Sequence, residues 1–155
     1  MESIDYLTMI RKMMSSFLYK SLSYELQKML GEKSTVILLR NVAKRASKDL
    51  VEQGLVKVKD IEESLTFCFR MEGFTDQDFR LLKGEDYIVE VYKCPYEEYV
   101  KENPVGCWIC VGLKMGFLES VLGREVGIDV KDRPALIKEQ TIAEGHDKCI
   151  IRLLL

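Results

Sequence analysis

PVGCWICVGLKMGFLESVLG, residues 104–123, decides how the rest of the chain is read. Its positions Val105, Trp108, Ile109, Gly112, Leu113, Gly116, Phe117 and Val121 recur at three- and four-residue steps, the period of a helix with one apolar face. Pro104 suits a first turn, where a missing N–H costs nothing, and Gly123 stands at the natural stop. A helix is therefore expected over 104–122. Beyond it the period changes to two. In REVGIDV (124–130), Val126, Ile128 and Val130 alternate with Glu125, Gly127 and Asp129, which reads as a half-buried strand. ALIKEQTIA (135–143) and KCIIRLLL (148–155) complete an expected three-strand meander, with the polar EGHD (144–147) as the turn between them.

Upstream of this helix the chain reads as more helices and one hairpin. Residues 3 to 30 carry Ile4, Leu7, Ile10, Met14, Phe17, Leu18, Leu26 and Met29 at helical spacing and stop at Gly31. A second helix runs from about Thr35 to Gln53, ahead of Gly54, and Asp60 caps a third over about Ile61 to Met71. DFRLLKG and YIVEVYKC, separated by the turn KGED, read as a hairpin, and PYEEYVKE as a short helix or turn. Helices, hairpin, helix and strands in that order predict an α+β fold, with long N-terminal helices packed on an antiparallel sheet. No repeat or low-complexity segment interrupts the pattern.

Bulk properties narrow the function. A chain of 155 residues fits one domain, 1–155, and a domain of this size buries roughly 70% of its unfolded surface without help from disulfides or metal. The 23 basic and 25 acidic residues nearly cancel, with no run of five or more like charges, so nucleic acid is a poor partner. MESIDYLTMIRKMM has acidic residues at Glu2 and Asp5 and none of the marks of a secretory signal. No window holds about 18 consecutive apolar residues, so a cytoplasmic protein without a membrane span is expected. In that compartment the five cysteines, an odd number, point to burial, metal binding or redox chemistry rather than to a disulfide framework.

The chemistry lies in these cysteines and in His146, the only histidine. CWIC places Cys107 and Cys110 one turn apart near a helix N-terminus, where thiol pKa values fall, and C-x-x-C is the spacing of dithiol oxidoreductases. Against that reading, no βαβ unit precedes the motif and bulky Trp108 and Ile109 separate the thiols; two buried cysteines are the simpler expectation. Cys149 follows the turn that holds His146, with Thr141 roughly opposite on the neighbouring strand, and Cys94 ends a strand ahead of Pro95. Three thiols at element ends and one histidine suit a tetrahedral N/S zinc site, although the spacings match no zinc finger. His146 beside a cysteine also has the parts of a nucleophile and its base, but no orienting carboxylate or oxyanion hole is identifiable, which favours a solvated turn residue. Trp108, Met115 and Phe117 are the candidate lining of a ligand pocket; core packing is the plainer account of such residues.

Read together, GCWICVGLKMGFLESVLGREV and EQTIAEGHDKCI resemble the 4-vinyl reductase type hydrocarbon-binding domain, found alone in archaea and inside bacterial aromatic-sensing transcription activators. The matching features are Cys107-Trp108, Gly112, Gly116, Leu122-Gly123, Gly145-His146 and Cys149, so the resemblance is strongest over 104–155. It implies a fold shared with heme-based nitric oxide sensors and TRAPP transport subunits. It also implies a zinc held by the cysteine of the Cys-Trp pair, a glutamate and a cysteine before the Gly-His turn, and the cysteine after it. Cys107 and Cys149 fall on the first and last of these positions. Thr141 takes the place of the other cysteine, and Lys138, beside Glu139, that of the glutamate. Cys94 is the preferred substitute, with His146 or Cys110 completing the set. No Gly-rich dinucleotide fingerprint supports a reductase.

The expected function is a non-catalytic small-molecule binding domain, homodimeric, with an apolar, aromatic or tetrapyrrole-like ligand between helices and sheet and a structural zinc. It has no room for a DNA-binding or ATPase module and is expected to act through a protein partner or as a carrier. The alternatives are an enzyme acting on a tetrapyrrole or using Cys107 or Cys149 as nucleophile, and a structural adaptor without ligand.

Overall fold

The computed structural model describes residues 5–155. The expected helix start at residue 3, with Ile4, lies outside them. From Asp5, whose side chain accepts the Thr8 N–H, helix α1 (Tyr6–Ser16) passes through a π-helical stretch (Phe17–Leu22) into α2 (Ser23–Leu30). In that stretch the Ser23 hydroxyl donates to the Leu18 carbonyl five residues back at 2.8 Å, and Tyr19 turns inward and is buried. Helix α3 (Glu32–Glu52) follows after Gly31, and α4 (Ile61–Met71) begins where Asp60 accepts the Glu63 N–H at 2.8 Å.

Strands β1 (Phe79–Lys83) and β2 (Tyr87–Val91) form the expected hairpin, and a short α5 (Glu97–Val100) follows. A single 3-10 turn (Pro104–Gly106) leads into α6 (Cys107–Leu122), stopped at Gly123. Strands β3 (Ala135–Gln140) and β4 (Cys149–Leu154) complete one antiparallel four-stranded sheet in the order β1-β2-β4-β3. This is the expected α+β architecture, with helices packed on the sheet.

The meander is corrected in one respect: residues 124–130 form no strand, and β4 pairs with β2 instead. Val126 alone of the three alternating residues is buried, and its N–H donates to the Glu119 carboxylate at 3.3 Å. Gly127 makes an isolated parallel bridge to Ala135, after which Asp129 turns the chain by accepting the Asp132 N–H, leaving Ile128 and Val130 exposed. Three alternating apolar residues fit a segment that dips into the core once as well as they fit a strand.

Helix α6 is apolar on every side because it is the centre of the molecule. With its lead-in turn it is long and apolar enough to cross a membrane (mean hydropathy 1.5), yet most of it is buried inside the fold. Val111, Met115 and Leu118 pack with Leu65 and Phe69 of α4 and with Val89, Val91, Ile151 and Leu153 of the sheet. The opposite face meets α3 almost backbone to backbone. A Cβ on Gly112 would collide with the Arg40 carbonyl and sit 2.9 Å from the Ala43 Cβ; one on Gly116 would collide with the Lys44 carbonyl and the Ser47 hydroxyl. Below them, buried Glu119 pairs with Lys44 and Lys48 of α3, each at 3.3 Å.

Gly116→Leu is expected to cost more than about 3 kcal/mol, above the usual range for overpacking, because the obstruction is backbone that cannot rotate away. Lys48→Met, at the partly exposed rim of the same crossing, is expected to cost about 1 kcal/mol or less. Urea unfolding followed by circular dichroism measures both, and similar losses for the two variants would contradict this account of the crossing.

Candidate functional site

The first turn of α6, the segment after β2 and the start of β4 meet around a cavity of about 50 Å³. Cys94, Cys107, Cys110 and Cys149 all line it, with Lys138 and Thr141 at one side. Aromatic rings and the aliphatic Val91, Val100, Val111 and Ile151 close the rest. Tyr19 and Tyr96 stack with centroids 4.1 Å apart, and Phe69 meets Phe74 edge to face at 5.0 Å. Tyr19 reaches this position because the π-helical stretch turns it inward and because Gly106, lacking a side chain, lets the Tyr19 backbone come close: a Cβ there would lie 2.9 Å from the Tyr19 carbonyl oxygen.

All five cysteines are free thiols. Burial holds those around the cavity in the protonated form: it pushes Cys94 up to about 12 and Cys107 up to about 11, and raises Cys149 and, much further, Cys110. The Cys149 sulfur accepts the Ile142 N–H at 3.3 Å, which fixes it against the 3-10 turn Ile142–Glu144. As the side chains lie, no three of the His, Cys, Asp or Glu groups among the described residues are gathered for a metal ion. The donor set nevertheless suits zinc, since sulfur ligands on separate elements are the usual composition of structural sites.

Behind Cys110 lies a buried ion pair that sequence reasoning missed. Lys114 and Glu72 are both out of solvent, with Nζ to Oε2 at 2.7 Å. Lys114 also donates to the Cys110 sulfur at 3.0 Å and sits 4.0 Å over the Phe69 ring. The Cys68 thiol faces the same carboxylate oxygen at 3.8 Å, while Oε1 has no partner. Burial pulls the Lys114 pKa down, but its contacts with Cys110 and Glu72 outweigh this and the net direction is up. With Cys110 protonated at neutral pH, the Glu72 carboxylate is the group that keeps the ammonium charged. Removing one member of a buried pair typically costs about 3–5 kcal/mol. The sequence signal was present: Lys114 is the one charged residue between Glu102 and Glu119.

The structure therefore brings together Cys94, Cys107, Cys149 and the alternative ligand Cys110. His146 does not join them: it is exposed in the turn, its backbone N–H donating to the Thr141 carbonyl at 3.2 Å, with Gly145 left-handed at φ 95°. Of the candidate pocket residues, Met115 and Phe117 are buried in the packed core, Phe117 edge to face with Phe67 at 5.5 Å. Trp108 is half-buried and faces a separate groove, with the Lys138 ammonium 4.7 Å from its ring. Tyr19, Tyr96 and Phe74, which line the cavity, escaped sequence reasoning: helical periodicity says that Tyr19 is buried without saying against what, and Phe74 and Tyr96 lie in connecting segments outside any periodic element.

Residues 4–154 match the family model of methanogen output domain 1, and the chain belongs to that family. No curated protein matches it.

Protonated, buried thiols make stability depend on pH in a defined direction. In the unfolded chain Cys94 and Cys107 ionise near the ordinary 9.0, in the folded chain near 12 and 11, so above pH 9 the unfolded state binds fewer protons. The stabilisation is complete below pH 9 and is lost as pH rises towards 12. At pH 10.5 the loss is expected to be on the order of 1–2 kcal/mol per thiol in metal-free protein. Comparing urea midpoints at pH 7.5 and 10.5 for the wild type and Cys94→Ala isolates the contribution; equal pH responses would contradict a buried neutral Cys94.

Proposed function

We propose that this member of the methanogen output domain 1 family is a non-catalytic binding domain whose thiol cavity holds one zinc ion through Cys94, Cys107, Cys149 and Cys110. The observation that carries this reading is the convergence of four cysteines from three separate parts of the chain on one cavity. Cys110 is preferred to His146 as the fourth ligand because it lines the cavity and the exposed histidine does not. Zinc would be bound by thiolates, so binding releases protons and draws the sulfurs inward, tying α6 to β4 and to the end of β2.

Volume favours an ion over the apolar ligand that the 4-vinyl reductase resemblance implies. About 50 Å³ accommodates an ion or a water or two, whereas a cavity that binds a single benzene ring measures roughly 150 Å³. A hydrocarbon would need the Tyr19–Tyr96 stack to part, and a tetrapyrrole far more. An enzyme reading has little support from thiols that burial holds protonated.

The partner is a second copy, docked on α1. No residue of α1 is buried, and Tyr6, Leu7, Ile10, Met13, Met14 and Phe17 form an exposed apolar stripe. At roughly 100 Å² each they offer about 600 Å², near the ~800 Å² per partner of a standard interface. An output domain, as the family is named, suits a chain that acts through contact of this kind.

Protein purified without added metal or a histidine tag is expected to carry about one zinc per chain by elemental analysis. Cys149→Ser is expected to lose the metal and several kcal/mol of stability, against roughly 1–2 kcal/mol for a merely buried thiol. Less than a tenth of an equivalent in the wild type would remove the zinc reading. Sedimentation at micromolar concentration is expected to show a dimer of the 17.9 kDa chain, and Ile10→Glu a monomer; a monomeric wild type would remove the second copy as partner.

A further inference from the structure

Beside the thiol cavity, on the outer side of Lys138, lies a groove of about 340 Å³. Gln27, Glu32, Asn103, Trp108, Lys138 and Glu144 line it. We propose that this groove is a second site, which binds a small organic ammonium ion against the face of Trp108.

The chemistry is that of cation recognition. An aromatic face attracts an ammonium within about 6 Å through its quadrupole, most strongly when that face is indole. One ammonium is already there: Lys138 Nζ lies 4.7 Å from the Trp108 centroid and 3.5 Å from Glu144 Oε1. It is an internal model of the ligand, tethered to β3 and largely shielded from water, its side chain only 13% exposed. The groove's charges do not balance on Lys138 alone, because Glu32 stands on the opposite wall as a second carboxylate, leaving a net charge of -1.

Glu144 is held in its ionised form and in place. The Thr141 hydroxyl donates to Oε1 at 2.9 Å, and that bond, ahead of the neighbouring Lys138 charge, lowers its pKa. A polar groove with a second carboxylate and an aromatic face that already attracts a cation is built for a small cation rather than for an apolar molecule. The site does not depend on the zinc reading, since neither the indole nor the carboxylates belong to the thiol set.

Trp108 is the only tryptophan, so its fluorescence reports the site directly. Titration of the full chain with tetramethylammonium chloride is expected to give a saturable change. tert-Butanol, similar in shape but neutral, and sodium chloride at equal ionic strength are expected to give none. Lys138→Met removes the internal competitor and is expected to tighten tetramethylammonium binding roughly five-fold, while Glu32→Gln weakens it by a similar factor with the fold intact by circular dichroism. A purely structural Lys138–Trp108 pair predicts the opposite for the lysine variant, no gain in affinity. The proposal is overturned if the signal fails to saturate by about 100 mM, if tert-butanol reproduces it, or if Lys138→Met, folded, binds no more tightly. If Lys138→Met does not fold, Lys138→Gln carries the same test.

Discussion

The near-contact of the α3 and α6 backbones at Gly112 and Gly116 is the constraint on which the rest of the structure depends. Two helices that approach this closely cannot slide or roll past one another, because the Arg40 and Lys44 carbonyls and the Ser47 hydroxyl occupy the space a side chain would need. The crossing therefore fixes the rotation of α6 about its own axis, and that rotation assigns every other face. Val111, Met115 and Leu118 are delivered to α4 and the sheet, Glu119 to the two lysines of α3, and Cys107, Cys110 and Lys114 to the side where β2 ends and β4 begins. Dispersion between close backbones, with Leu39 of α3 and Ile109 of α6 buried beside the crossing, holds this face together.

A charged pair in the middle of such a core is costly to desolvate, and replacing both members with apolar residues is often neutral or stabilising. Its value here lies in geometry. Lys114 reaches Glu72 at the C-terminal end of α4, the Cys110 sulfur one turn back on α6, and the face of Phe69. Tyr96 meanwhile donates its hydroxyl to the Glu72 carbonyl. One cation thus sets the end of α4, the first turns of α6 and, through Tyr96, the segment that carries Cys94. The cavity is bounded by groups that this pair holds in place, which is how a small space with apolar walls persists among four thiols.

Much of the fold was legible because its signals are local. Asp60 announces a helix start by its own side-chain hydrogen bond, Gly31 and Gly123 announce stops, and the KGED turn between two β-rich runs announces a hairpin. The strand expected at 124–130 failed because alternation over three apolar residues does not report whether a partner strand exists, and Asp129 turns the chain before one is met. The candidate site was half legible for the same reason. Cys107 and Cys149 were placed together through a resemblance, but nothing local joins Cys94 to them, tells Cys110 from His146 as a neighbour, or separates Met115 in the core from Trp108 at a groove. Those distinctions follow from the rotation of α6, which two glycines set through contact with a helix some seventy residues away in sequence.

Lys138 occupies the boundary between the two spaces, and this makes them one system. Its stem lines the thiol cavity while its ammonium lies on Trp108 and pairs with Glu144. Glu144 in turn is bound by Thr141, which also lines the cavity, and the turn they share presents its Ile142 N–H to the Cys149 sulfur. A change that draws Cys149 inward pulls on the turn that holds Glu144; a change that takes the Trp108 face from Lys138 releases a cation beside Cys107. The link runs through the first residue of β4 and one short turn, away from the α3–α6 crossing. A tightly packed helix crossing with small spaces at its margin confines change in side-chain contacts to that margin and leaves the fold intact.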